Sequence, residues 1–233
     1  MNKKQYNTID DNNCICEHSE KTTNDTTGFD VNKTICGEKR FSEIVSQEKI
    51  EKVNKIIQEN AQFICEAANS FGLYPADVAM VIYAEQCFNA DLKDKAIDPF
   101  VAPTSDVSLG IGQMRISTAK MIEDSGYMPV TYFADWHGNK YVENREYGIA
   151  LKLLDPQANS KYVAAYLSLI IDLWKNKYPS IHSNYLVLAT LYNNGANSAG
   201  KNQSHANPNA NEFGWFASQI RQDLKQLLGY KIL

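Results

Sequence analysis

The 233-residue sequence has no apolar run near the roughly 18 residues that a membrane-spanning helix requires, so no membrane span is expected. Basic residues are not in excess: 23 Lys and Arg stand against 27 Asp and Glu, a formal net charge of −4. That balance excludes a protein held to nucleic acid mainly by phosphate contacts. The five cysteines, Cys14, Cys16, Cys36, Cys65 and Cys87, are an odd number and fit a disulfide framework poorly. Cys14, Cys16, His18 and Cys36 carry metal-ligating atoms, but their spacing lacks the paired CxxC form of a zinc site, and no metal or other cofactor is expected. Cys65 and Cys87 stand among apolar neighbours and read as small core residues. Behind Lys3 and Lys4 there is no apolar stretch, so the chain is expected to be made in the cytoplasm without a cleavable signal. Internal repeats and long alternating patterns are also missing.

What is present is a globular composition, 44% hydrophobic and 21% charged. Residues 1–41 are rich in Asn, Thr, Asp and Lys and poor in apolar groups, which predicts a flexible tail or delivery segment, followed by one folded domain over 42–233. Ile50, Val53, Ile57, Ala61, Ile64 and Ala68 recur at spacings of three and four, one face of a helix, with Gly72 as its stop. A second helix starts at Pro75. Its run from Val78 to Ala84 is too apolar for a surface helix and places it in the core. Between 88 and 112, Pro99, Pro103, Gly110 and Gly112 break the pattern, predicting a loop or small hairpin. Helices are expected again near 117–125, with Ser117 as N-cap and Gly126 at the stop, then near 143–154, 157–177, 184–193 and 213–229. The fold class is therefore mainly α. The Asn- and Gly-rich segment from Asn193 to Glu212 reads as a loop beside the helical core, a common form of cleft wall.

Glu85 closes the apolar helix next to the irregular segment. Burial of a carboxylate there would raise its pKa from about 4.3 toward neutrality and make it a proton donor. Four short blocks surround it in order: Ala84-Glu85-Gln86-Cys87-Phe88-Asn89-Ala90; Ser108-Leu109-Gly110-Ile111-Gly112-Gln113-Met114 with Thr118-Ala119; Asp155-Pro156 through Asn159, Tyr166 and Leu167; and Leu191-Tyr192-Asn193-Asn194-Gly195. Together, over about residues 75–200, they resemble the lysozyme-like superfamily, in particular the lytic transglycosylases and goose-type lysozymes.

The resemblance implies a lysozyme-like domain, with a small loop or hairpin between the catalytic helix and the next one, that cleaves peptidoglycan between N-acetylmuramic acid and N-acetylglucosamine. Glu85 would be the acid that protonates the glycosidic oxygen, so that the sugar departs as a neutral alcohol. Ser108, Gly110, Gln113, Tyr192 and Asn193 would bind substrate. Gly110 and Gly112 would let the backbone approach the sugar, and Gln113 can donate to and accept from an acetamido group. Tyr83, Phe88, Tyr132 and Trp136 are candidates for stacking on sugar rings, with a core position the expectation for Tyr83. A hydrolase needs a second carboxylate, for which Asp98 and Asp106 are the candidates, each with turn capping as its alternative role. A transglycosylase uses one Glu and the muramic 6-hydroxyl.

Three positions depart from the family's pattern: Val163 stands where Gly is usual, Ile111-Gly112 replaces Leu-Met, and Asn194 replaces Ala. The expected partner is the peptidoglycan glycan strand. A secretion-system component that docks residues 1–41 and an immunity protein that blocks the cleft are further candidates. The expected role is an antibacterial effector or a phage lysin, acting in the periplasm or cell wall of a target cell. A non-catalytic glycan-binding module is the rival expectation, since fold does not fix function.

Overall fold

The apolar spacing that begins at Ile50 forms two helices instead of one. In the computed structural model, which describes residues 45–89, 106–137, 140–196, 206 and 208–229, α1 (Gln47–Glu59) and α2 (Ala61–Ser70) meet at Asn60. The Asn60 side chain donates to the Ile56 carbonyl at 2.8 Å, which competes with helical continuation. Gly72, at φ +66°, ends α2 as expected: Leu73 N–H bonds to Ala68 O and Gly72 N–H to Asn69 O, the paired closure that a left-handed residue after a helix permits.

Pro75 opens α3 (Pro75–Phe88), where its missing N–H costs nothing and its fixed φ suits the first turn. Every residue from Pro75 to Glu85 is buried, because α3 is packed by α1, α2 and three later helices. This is why its sequence shows no polar face. Buried Asp77 receives a 2.7 Å hydrogen bond from Arg221 Nε, which ties α3 to the last helix, α8 (Glu212–Leu227). Cys65 and Cys87 are both buried and unbridged.

After the segment outside the described residues, β1 (Ser108–Leu109) and β2 (Met114–Arg115) form a small antiparallel hairpin, with Ser108 opposite Arg115 and Leu109 opposite Met114. α4 (Ile116–Asp124) follows at once. Ser117 lies in its first turn and is not its N-cap, a position held by Arg115. The capping carboxylate arrives from outside: Asp106 accepts from Ser117 N–H at 2.9 Å and from Ser117 Oγ at 2.7 Å. A second hairpin, β3 (Ala134–His137) with β4 (Lys140–Glu143), precedes α5 (Arg145–Leu154).

Asp155 caps α6 (Pro156–Trp174), its Oδ1 accepting from Ala158 N–H at 2.7 Å, at the start the sequence marked. α7 (Tyr185–Asn194) and α8 close the bundle, capped by Asn184 and Asn211. Glu123 of α4 is fully buried and gathers hydrogen bonds from Thr131, Tyr162 and Arg145, so one carboxylate braces α4, α5 and α6 together. The protein is mainly helical. No described helix is long and apolar enough to cross a membrane.

Candidate active site

The last turn of α3 delivers Glu85 to the floor of a cleft of about 710 Å³. Its residue is only 4% exposed. Asn89, one helical turn further on, donates from Nδ2 to Glu85 Oε2 at 2.6 Å, and Asn193 at the end of α7 adds a second side-chain hydrogen bond. Burial pushes the Glu85 carboxyl up to about 7, against the opposing pull of those two asparagines. A carboxyl in that state can give up or take a proton near neutrality.

The β1–β2 hairpin lines the cleft through Ser108, Gln113, Met114 and Arg115, and the shape of the turn joining its strands is over-determined. Gln86 Nε2 donates to Ile111 O at 2.8 Å, Tyr192 OH donates to Gly112 O at 2.8 Å, and Gln113 Nε2 folds back onto Gly110 O at 3.0 Å. Fully buried Asn159 makes three bonds at once: Oδ1 accepts from Gly112 N–H at 2.8 Å, and Nδ2 donates to Leu109 O and Leu153 O. Thus Asn159 sets the turn from behind while Tyr192 sets it from the side.

The two glycines answer to this packing. A Cβ on Gly110 would lie 2.0 Å from Leu153 O and 2.3 Å from Asn159 Nδ2, and one on Gly112 would lie 2.2 Å from Val163 Cγ2. The close approach these glycines permit is to Asn159 and Val163 of α6 and to Leu153 at the end of α5. Gly110 is not part of the cleft wall. Val163 fills the space beside Gly112 that a side chain at residue 112 would need.

Ser108, Gln113, Tyr192 and Asn193 all line the cleft with Glu85, as does Asp106. Asp106 takes φ +47° and has both carboxylate oxygens on Ser117. Asp98 lies outside the described residues. Tyr192 is buried, with its ring 5.4 Å from that of Tyr166, and burial holds its hydroxyl well above the ordinary phenol range, so it remains a donor. Tyr166 OH in turn accepts from Ala196 N–H at 2.8 Å, fixing the chain as it leaves α7.

Tyr83 sits in the core as expected, its hydroxyl on Asn54 Oδ1. Tyr132 is 89% exposed and does not line the cleft. Phe88 packs edge-on against Phe216 at 4.6 Å and borders a smaller cavity of about 340 Å³, whose wall shares Asn89 and Asn193 with the main cleft. Among the cleft residues without an assigned role in the sequence are Asn89, Arg115 and Thr118. For Asn89 a signal existed, since four residues after Glu85 on a helix is the same face one turn later.

Among the described residues no three His, Cys, Asp or Glu side chains are grouped to hold a metal ion. Comparisons with protein-family models, curated proteins and solved structures found no match.

Proposed function

We propose that the protein is a muramidase that cleaves peptidoglycan glycan strands between N-acetylmuramic acid and N-acetylglucosamine, with Glu85 as the general acid. The observation that carries the reading is a single carboxyl, almost fully buried at the floor of a polar-walled cleft, whose proton is retained up to about pH 7. Protonated Glu85 would give its proton to the glycosidic oxygen as the bond to the anomeric carbon breaks, and the leaving sugar would take that oxygen away as a hydroxyl. Asn89 and Asn193, hydrogen-bonded to the carboxyl, would fix its direction and then stabilise the carboxylate left behind. Tyr192 and Asn159 would act on the chemistry only through the turn they hold.

Two fates of the cationic sugar remain open to this machinery. In hydrolysis, a second carboxylate activates water or stabilises the cation, and Asp106 and Asp98 are the groups proposed for it. In transglycosylation the muramic 6-hydroxyl attacks internally and gives a 1,6-anhydro product. The commitment of both Asp106 oxygens to Ser117 favours this second route. The proposed setting is the cell wall of a target bacterium, reached as an antibacterial effector or a phage lysin.

Digestion of purified sacculi with wild type and Glu85→Gln, followed by mass spectrometry of the released fragments, tests the reading. Reducing-end products that vanish with the variant support hydrolysis. Products lighter by one water support transglycosylation. Binding to sacculi without release by wild type would replace the enzyme with a glycan-binding module.

A further inference from the structure

The register of the β1–β2 hairpin pairs Ser108 with Arg115. Directly opposed residues on an antiparallel pair project to the same side, with Cβ atoms about 5 Å apart. Both line the Glu85 cleft, while Leu109, the next residue along β1, is buried in the core. Arg115 is exposed and forms no ion pair among the described residues, in contrast to Arg145 with Glu123 and Asp124, and Arg221 with Asp77. It is not the counter-ion of the catalytic candidate either. Burial raises the proton affinity of Glu85 and the hydrogen bonds of Asn89 and Asn193 oppose that rise, with no ion pair to Glu85 among the described residues. The other acid of the cleft, Asp106, accepts one hydrogen bond on each oxygen, both from Ser117. The cleft therefore presents one guanidinium with a hydroxyl beside it, and among the described residues neither carboxyl of its lining, Glu85 or Asp106, forms an ion pair with that guanidinium.

A guanidinium offers a planar fork of donors that matches a carboxylate, and a neighbouring serine hydroxyl supplies a further donor. We propose that Arg115 and Ser108 form a carboxylate-binding site on the cleft wall that selects glycan carrying an acidic substituent. The inference rests on the peptidoglycan reading and names which part of that polymer is recognised. Of its two sugars, N-acetylglucosamine is neutral, whereas the muramic residue carries a lactyl ether at O3. That ether ends in a free carboxylate on peptide-free strands. On substituted strands it is amide-linked to a peptide stem, whose own carboxylates project from the same position.

The test is binding to the Glu85→Gln protein, which prevents turnover, with and without Arg115→Gln. The ligands are peptide-free glycan, peptide-bearing glycan, and each of them with its carboxylates methyl-esterified. With Arg115 present, a free-carboxylate ligand binds about tenfold tighter than its ester, and Arg115→Gln abolishes that preference. A preference on the peptide-free pair identifies the lactyl carboxylate as the group bound; a preference on the peptide-bearing pair alone identifies the stem. Arg115→Lys, which keeps the charge without the fork, retains only part of the preference. Equal binding of acid and ester, or a preference that survives Arg115→Gln, overturns the inference and leaves the peptidoglycan reading intact. Absence of binding by all four ligands removes both.

Discussion

Asn159 Oδ1 accepts the Gly112 N–H at 2.8 Å, so a fully buried amide in the first turn of α6 fixes the turn that faces Glu85. The same amide group satisfies Leu109 O and Leu153 O. Asn159→Ala would leave a buried donor and two buried acceptors without this partner and is expected to destabilise the fold by about 3 kcal/mol. Urea denaturation should show a lower midpoint with an unchanged slope, the sign of lost stability without a change in the surface exposed on unfolding.

Gly110 and Gly112 separate two kinds of crowding. Gly112→Ala collides with the end of a side chain, Val163 Cγ2, and is expected to cost about 3 kcal/mol, part of which Val163→Ala restores. Gly110→Ala meets the Leu153 backbone oxygen at φ +71°, so the same second change brings no recovery. Thermal unfolding of the two single and two double variants measures the contrast.

Asp106 is expected to act on stability through its cap of α4. Asp106→Ala removes the acceptor of Ser117 N–H and should cost about 1 kcal/mol. Asp106→Asn keeps one oxygen to accept that N–H, tolerates the positive φ, and should restore most of the loss. Comparing the two unfolding midpoints distinguishes a cap from a requirement for charge.

The raised Glu85 carboxyl makes stability depend on pH in a defined direction. Below about pH 4.5 the group is protonated folded or unfolded and contributes no difference. Between there and about 7 the unfolded chain ionises while the folded one keeps its proton, so stability falls as pH rises and the full cost is present above 7. Glu85→Gln should therefore be more stable than wild type at pH 8.5, by up to roughly 3 kcal/mol, and indistinguishable from it in this respect near pH 4. Denaturation of both proteins across that range checks the sign.

Much of the fold was legible because its signals are local. Pro75, Gly72, Gly126 and Asp155 mark helix ends by backbone chemistry that needs no tertiary context, and α3 declared itself by an apolar run without a polar face. The break at Asn60 was not legible, since the apolar spacing runs through it without interruption. Ser117 was mistaken for a cap because the true capping carboxylate, Asp106, lies 11 residues earlier and reaches the helix only through tertiary structure.

Glu85, Asp106, Ser108, Gln113, Tyr192 and Asn193 were named from the sequence and line one cleft. The role of the glycines was not, because their constraint is the distance to Asn159 and Val163 across the packed interior. Arg115 escaped for a similar reason: only the two-residue register with Ser108 turns it toward the cleft.

The central claim, that Glu85 keeps its proton near neutrality, is tested most directly by carbon-13 NMR titration of glutamate-labelled protein, with the Glu85 signal assigned by its loss in Glu85→Gln. The account predicts a carboxyl midpoint near 7. A midpoint near 4.5, the value of an ordinary solvated glutamate, would contradict it and remove Glu85 as the acid.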